Sequence, residues 1–219
     1  MTIDQAIIEL KSLSVPENLE GMARFGINTE KALAVRIPEL RKLARNIKKD
    51  HALALQLWET EIHEARILAA YIADPKQVTE ELMEQWASDF YSWDLCDQVC
   101  GNLFDRIPIA FSKAKEWSGR EKEYVKRAGF VLMASLAVHN KEAKDAQFTS
   151  FFPFIVEGAT DERNFVKKAV NWALRQIGKR NAFLGEKAIA LSEKLLTINS
   201  RSARWIAKDA LRELKSKYK

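Results

Sequence analysis

The sequence has few of the residues that punctuate β-structure: 8 glycines and 5 prolines are spread over 219 positions. Strands need frequent turns, so this scarcity points to long helices joined by short connections. Cysteine is scarcer still. Cys96 and Cys100 lie four apart on an expected helix, which suits two small buried apolar side chains better than a disulfide framework. No apolar run reaches the roughly 18 residues that a membrane span requires. Met1-Thr2-Ile3-Asp4 has neither the basic region nor the apolar stretch of a secretion signal. The expectation is a reduced, cytoplasmic protein with no membrane partner. Histidine is rare as well, and His51, His63 and His139 show no ligand spacing with the cysteines or with Asp94 and Asp97. A Gly-rich phosphate loop and a nucleophile elbow are both missing. Metal-dependent and triad hydrolases are therefore disfavoured, and no cofactor is expected.

What is present describes a globular chain: 47% hydrophobic and 30% charged residues, enough to bury a core. The net charge of +5 is unevenly placed. Residues 1–110 hold 12 Lys+Arg against 18 Asp+Glu, a net of −6, and residues 111–219 hold 23 against 12, a net of +11. A basic half of this size fits a polyanionic partner, and it equally fits a solvated lysine-rich surface.

Amphipathic patterns predict helices near 3–13, 51–58, 62–73, 78–88, 92–106, 108–117, 121–138, 142–157, 162–179, 184–197 and 201–217, with Pro16 and Pro38 at first helical positions. Four segments superimpose: Glu64-Ala65-Arg66-Ile67, Val125-Lys126-Arg127-Ala128, Val166-Lys167-Lys168-Ala169 and Ser202-Ala203-Arg204-Trp205. Leu95-Cys96-Asp97-Gln98 joins them by spacing. The matched positions are 66, 97, 127, 168 and 204, at intervals of 31, 30, 41 and 36 residues. Such intervals suit stacked helix pairs of the HEAT or armadillo kind.

In that register Arg66, Arg127, Lys168 and Arg204 form a row of cations suited to phosphates, interrupted by one acid, Asp97. Asp97 could pair with a neighbouring arginine and join two repeats, or it could stabilise positive charge on a sugar. Trp93, one helical turn earlier, shares its face and could partly desolvate the carboxylate. Ser92 is the expected N-cap. On the 162–179 helix Lys168, Trp172, Arg175 and Lys179 share a face distinct from the apolar stripe Val166, Val170, Ala173, Leu174 and Ile177. Cations interleaved with an aromatic can bind phosphates and sugars, and a helix with a snorkelling basic edge looks the same.

At these residues the chain resembles the AlkD-type DNA alkylation-repair glycosylases, which are built from HEAT-like repeats. The resemblance runs over nearly the whole chain. It includes Val35-Arg36-Ile37-Pro38-Glu39-Leu40-Arg41, His63-Glu64-Ala65-Arg66, Ser92-Trp93-Asp94-Leu95-Cys96-Asp97, Lys126-Arg127-Ala128 and Lys168-Ala169-Val170-Asn171-Trp172-Ala173-Leu174-Arg175. It implies an all-α, right-handed superhelix of about six HEAT-like helix pairs, a single domain over 1–219 with a concave basic groove. Trp93 and Asp97 match the family's active-site tryptophan and catalytic aspartate, and Arg127 its active-site arginine. Trp172 matches its second groove tryptophan and Arg175 a phosphate-contacting cation. Lys126, Lys168, Lys179 and Arg204 complete the expected DNA-binding set. Where the family tends to carry an aromatic hydroxyl near the N-terminal helices, the nearest residue here is Phe25.

The implied activity is hydrolytic excision of positively charged N3- or N7-alkylated purines, such as 3-methyladenine and 7-methylguanine, from duplex DNA. The enzyme would act as a monomer, in the cytoplasm at the nucleoid. A cationic base leaves without protonation, so one carboxylate can stabilise the oxocarbenium-like sugar and position water. The competing expectations are a non-catalytic HEAT-like scaffold that binds DNA or protein, and an RNA-binding repeat protein that stacks single-stranded bases on its aromatics.

Overall fold

A computed structural model describes residues 1–218. Contacts divide the chain into two compact units, Met1–Ile107 and Pro108–Lys219. Pro108, Ile109 and Ala110 are uncharged, so the division coincides with the charge asymmetry: the first unit carries the net −6 and the second the net +11. Among the described residues there are helices and no strands, and no helix is long and apolar enough to cross a membrane.

The first unit opens with α1 (Ile3–Ser12), a 3-10 turn at Pro16–Asn18 and α2 (Leu19–Arg24). There follow α3 (Ile37–Ile47), α4 (His51–Glu59), α5 (His63–Ile72), α6 (Glu80–Ser88) and α7 (Trp93–Asn102). Side chains cap several starts: Thr2 accepts from the Gln5 amide, Asp50 from Leu53 and Thr79 from Leu82, each meeting an amide that the helix itself leaves unpaired. α4 packs on α5, and α5 packs in turn on α3 and α7. The core between α4 and α6 centres on Trp58 and Trp86, both fully buried, with rings parallel and centroids 4.0 Å apart.

The second unit holds α8 (Ala110–Ser118), α9 (Glu123–His139), α10 (Asp145–Thr149), α11 (Phe152–Gly158), α12 (Asn164–Gly178), α13 (Ala182–Thr197) and α14 (Arg201–Lys217). Here α9 packs on α8 and α12, and α12 on α14, which also meets α13. One predicted helix is broken. The stretch expected at 142–157 is two short helices that part at Ser150–Phe151, because Pro153 has no amide to donate and its ring would clash with the carbonyl a turn back. The helix expected over 92–106 ends at Asn102 and continues only as a 3-10 turn at Phe104–Arg106.

The α8–α9 contact depends on a missing side chain. A Cβ on Gly129 would lie 2.4 Å from the Ser118 amide nitrogen and 2.8 Å from the Ala114 carbonyl, both main-chain atoms that cannot rotate away. Gly129→Ala is therefore expected to destabilise the protein by about 3 kcal/mol, as overpacking does. Helix propensity alone would predict a gain of about 1 kcal/mol. Urea denaturation decides between the signs.

The register read from the sequence holds in helix coordinates. Arg66 and Arg204 are the fourth residues of α5 and α14, and Asp97, Arg127 and Lys168 are the fifth residues of α7, α9 and α12. What the register did not fix is exposure. Arg66 is 7% exposed and Arg127 5%, so two of the four cations expected in line for a phosphate backbone are buried. Arg66 donates Nε to the Trp58 carbonyl (3.2 Å) and its guanidinium lies 5.0 Å over the Trp58 ring. Arg127 donates Nη1 to the Phe165 carbonyl at 2.5 Å. Each buries its apolar stem while the guanidinium finds an internal acceptor, and Arg66 Nη2 also lies 3.5 Å from Asp89 Oδ2.

Candidate active site

The first unit carries the candidate carboxylate. Trp93 opens α7 and Asp97 follows one turn later, so the two half-buried side chains share a helix face. Trp93 Nε1 donates to the Phe25 carbonyl at 2.9 Å, which ties α7 to the end of α2. The residue the resemblance singled out near the N-terminus thus lies against the candidate tryptophan, with its own ring exposed. Ser92 occupies the N-cap position with extended backbone, yet its hydroxyl makes no cap bond. It donates instead to Asp94 Oδ1 at 2.7 Å.

Asp94 leads to a cluster that the sequence reading passed over. His63, the first residue of α5 and almost fully buried, hydrogen-bonds Asp94 Oδ2 through Nε2 (2.8 Å) and the Tyr91 hydroxyl through Nδ1 (2.9 Å). Burial pulls the His63 pKa down, but the hydrogen bond and charge of Asp94 outweigh it and leave the ring above its usual 6.5. Burial likewise pushes Asp94 up, and His63 with Ser92 holds it below 3.8. Its neighbour Glu64 is buried too. Glu64 Oε2 accepts from the Leu33 amide at 2.7 Å, and Oε1 has no hydrogen-bond partner among the described residues. That bond holds the segment where Ala34 takes a left-handed φ of 57°. Between this segment, α2, α5 and α7 lies a cavity of about 290 Å³, walled by Met22, Val35, Ile67, Trp93, Glu64 and Asp94.

The signal for this cluster was present in the spacing. His63 and Asp94 are 31 residues apart, as are Trp58 and Asp89, and Leu33 and Glu64. This is the interval from Arg66 to Asp97. His63 has no ligand spacing with Asp94 along the chain, yet the repeat interval brings the two together across neighbouring helices.

The His63–Asp94 pair has a pH signature. A histidine raised above its unfolded value stabilises fully below about pH 6.5, and that contribution fades as pH rises through the higher folded value. The lowered Asp94 contributes above about pH 3.8 and loses its contribution as pH falls through the folded value. Stability against urea is thus expected to decline in the native chain as pH rises above about 6.5. The decline should flatten in Asp94→Asn, which removes the charge that raises His63. Parallel slopes would exclude this coupling.

The second unit holds the remaining expected residues. α12 and α14 meet in a fixed register: Asn171 Nδ2 donates to Asp209 Oδ2 (2.7 Å) and Arg175 Nη1 to Glu213 Oε2 (2.5 Å), both across 38 residues. Lys179 Nζ adds a bond to Glu213 Oε1 at 2.6 Å. Arg175 and Lys179, expected as phosphate contacts, are therefore neutralised within the protein, because α14 presents Asp209 and Glu213 one turn apart. Lys126 is similarly placed, 3.2 Å from Asp161 Oδ2. Burial pushes Asp161 up, but its bonds from Arg163 and Lys126 hold its pKa at about 2. Lys168 and Arg204 are exposed and pair with no described acid, and Trp172 is half-buried.

Among the described residues no three His, Cys, Asp or Glu side chains converge to hold a metal ion. Cys96 and Cys100 are buried thiols that form no disulfide, and burial holds Cys100 well above its usual range.

The model of the DNA alkylation repair enzyme family matches residues 6–214. An uncharacterised protein of Listeria innocua is 24% identical over 199 residues, covering 89% of this chain and 87% of its own. Another, from Listeria monocytogenes, is 25% identical over 134 residues, or 59% of this chain and 60% of its own. Among solved structures, one described as a new family of proteins related to the HEAT-like repeat DNA glycosylases, with affinity for branched DNA structures, superimposes with a TM-score of 0.80. It covers 97% of this chain and 95% of its own at 21% identity, a likeness that establishes the HEAT-like all-α fold. With the family model spanning nearly every residue, this chain belongs to the DNA alkylation repair enzyme family.

Proposed function

We propose that this protein is a DNA glycosylase that releases positively charged N3- and N7-alkylated purines from duplex DNA by hydrolysing the N-glycosidic bond. The observation that carries the reading is the pairing of a half-buried carboxylate, Asp97, with a half-buried tryptophan one turn before it on α7. Asp97 stabilises the electron-poor sugar and orients the attacking water, as a carboxylate does for an oxocarbenium-like transition state. The alkylated base is already cationic, so its departure requires no proton donor. Trp93 lines the sugar and excludes water from one side of the carboxylate.

In the second unit Lys168 and Arg204 contact phosphates, being exposed and unpaired among the described residues. Trp172 supplies a further aromatic contact to the DNA. Arg127 and Lys126, held by the Phe165 carbonyl and Asp161, and Arg175 and Lys179, held by Glu213, set the positions of α9 and α12 beneath those contacts. They reach phosphate only where DNA displaces an internal partner.

The test is incubation of the protein with duplex DNA containing 7-methylguanine, scored for free base. Release above the spontaneous rate is expected, and efficient excision of the neutral base uracil would contradict the reading. A second reading, affinity for branched DNA without base release, draws on the description of the solved neighbour. It predicts tight binding to a three- or four-way junction and no free base.

A further inference from the structure

Beyond the residues used above, the second unit carries an aromatic in the open. Trp205, on the first turns of α14, is 41% exposed although it is a large apolar side chain. Lys167 Nζ, on α12, lies 5.3 Å from the centre of its ring. Arg201 stands one turn before Trp205 and Lys208 nearly one turn after, so both border the ring on its own helix. Arg201 and Lys208 are exposed, Lys167 is half-buried, and none of the three forms an ion pair with any described residue. The nearby acids are already engaged. Asp209 is bonded by Asn171 and Arg212, and Glu162 Oε1 accepts from the Ser202 amide (3.2 Å) and the Ser200 hydroxyl (3.1 Å) at the start of α14.

This arrangement differs from the rest of the α12–α14 seam. About two turns along, the same register sets Arg175 and Lys179 against Asp209 and Glu213, so both cations are paired. At the Trp205 end the facing residue is an aromatic, and the cations remain open. An exposed ring with one cation over a face and two beside it on its helix has two complementary ligands in one molecule: the flat face of an unpaired base, and the phosphates on either side of it. A duplex offers the phosphates but keeps its base faces stacked on one another.

We propose that Trp205, with Lys167, Arg201 and Lys208, forms a platform for an unpaired nucleic-acid strand, on which one base stacks while its flanking phosphates meet the cations. The proposal rests on the reading that the chain acts on DNA, and it adds a preference for sites where a single strand emerges from the duplex. Stacking of a base on an aromatic is sequence-tolerant, so no base identity is selected.

The test uses the full chain and fluorescence anisotropy with two labelled probes, a 12-nucleotide oligothymidylate and a blunt 12-base-pair duplex. Trp205→Ala is expected to weaken oligothymidylate binding on the order of tenfold, with duplex binding changed less than about twofold. Trp205→Phe keeps a stacking face and should restore most of the loss. Replacing Arg201 and Lys208 by Ala should lower the salt slope for oligothymidylate by about 0.7 per phosphate contact removed. Equal losses on both probes, or no oligothymidylate binding by the native chain, would overturn the platform. Release of 7-methylguanine is read separately: Trp205→Ala should retain it. A protein that binds oligothymidylate through Trp205 but frees no base keeps this proposal and sinks the glycosylase reading.

Discussion

Asp97→Asn is expected to lower the rate of 7-methylguanine release by about 10²–10³, the cost of removing one preorganised electrostatic stabiliser. The substitution keeps the size and shape of the side chain, removes its charge and turns one acceptor oxygen into an NH2 donor. A change in rate of this size therefore reports loss of the carboxylate's two roles together, stabilising the sugar cation and accepting from the attacking water. Affinity for the same methylated duplex should hold or rise slightly, since an acid facing DNA repels phosphates in the ground state. The two readouts together separate mechanism from misfolding: a variant that binds normally but releases no base is folded and chemically disabled. Normal turnover by Asp97→Asn would remove the carboxylate from the mechanism. Loss of binding along with turnover would instead point to the structural role that the sequence also allowed, a bridge between repeats.

The parts of this molecule that could be read in its sequence were those governed by local periodicity. α4, α5, α9, α12, α13 and α14 lie within a few residues of their expected limits, because each apolar stripe repeats over several turns. The repeat register was legible for the same reason: a cation or acid at the fourth or fifth residue of successive helices follows from helix starts alone. What escaped was decided by three-dimensional neighbours. Nothing local distinguishes Arg66, turned onto Trp58 and nearly buried, from Arg204, which stands in solvent. Arg175 and Lys179 read as open cations until α14 supplies Glu213, 38 and 34 residues away. His63 and Glu64 were hidden by their type, since buried charged groups are rare and become plausible only once their partners are known. The candidate carboxylate was found because it broke a pattern; its supporting cluster followed the repeat interval and was overlooked.

Trp58→Ala is expected to cost about 3–5 kcal/mol of folding stability, the range for deleting a fully buried aromatic. Since typical domains have about 5–15 kcal/mol in total, a chain at the lower end would be largely unfolded. The effect should sit at the top of that range because four interactions end on this ring, one of them an edge contact with Phe90 at a centroid distance of 6.4 Å. The indole stacks parallel on Trp86 at 4.0 Å and donates Nε1 to Asp89 Oδ2 at 2.9 Å. It also lies under the Arg66 guanidinium, whose separate bond to the Trp58 carbonyl survives the substitution. Trp58→Phe keeps a stacking face but strands the Asp89 bond and leaves part of the volume empty, so an intermediate loss is expected. Urea denaturation of the three proteins orders them, with m-values checked for a change in the unfolded state. A loss under about 1 kcal/mol for Trp58→Ala would mean the site relaxes around the gap. The consequence reaches the DNA reading as well. If Arg66 is held by Trp58 and not by phosphate, Arg66→Met should leave the salt slope of duplex binding unchanged, whereas Arg204→Ala should reduce it by about one unit.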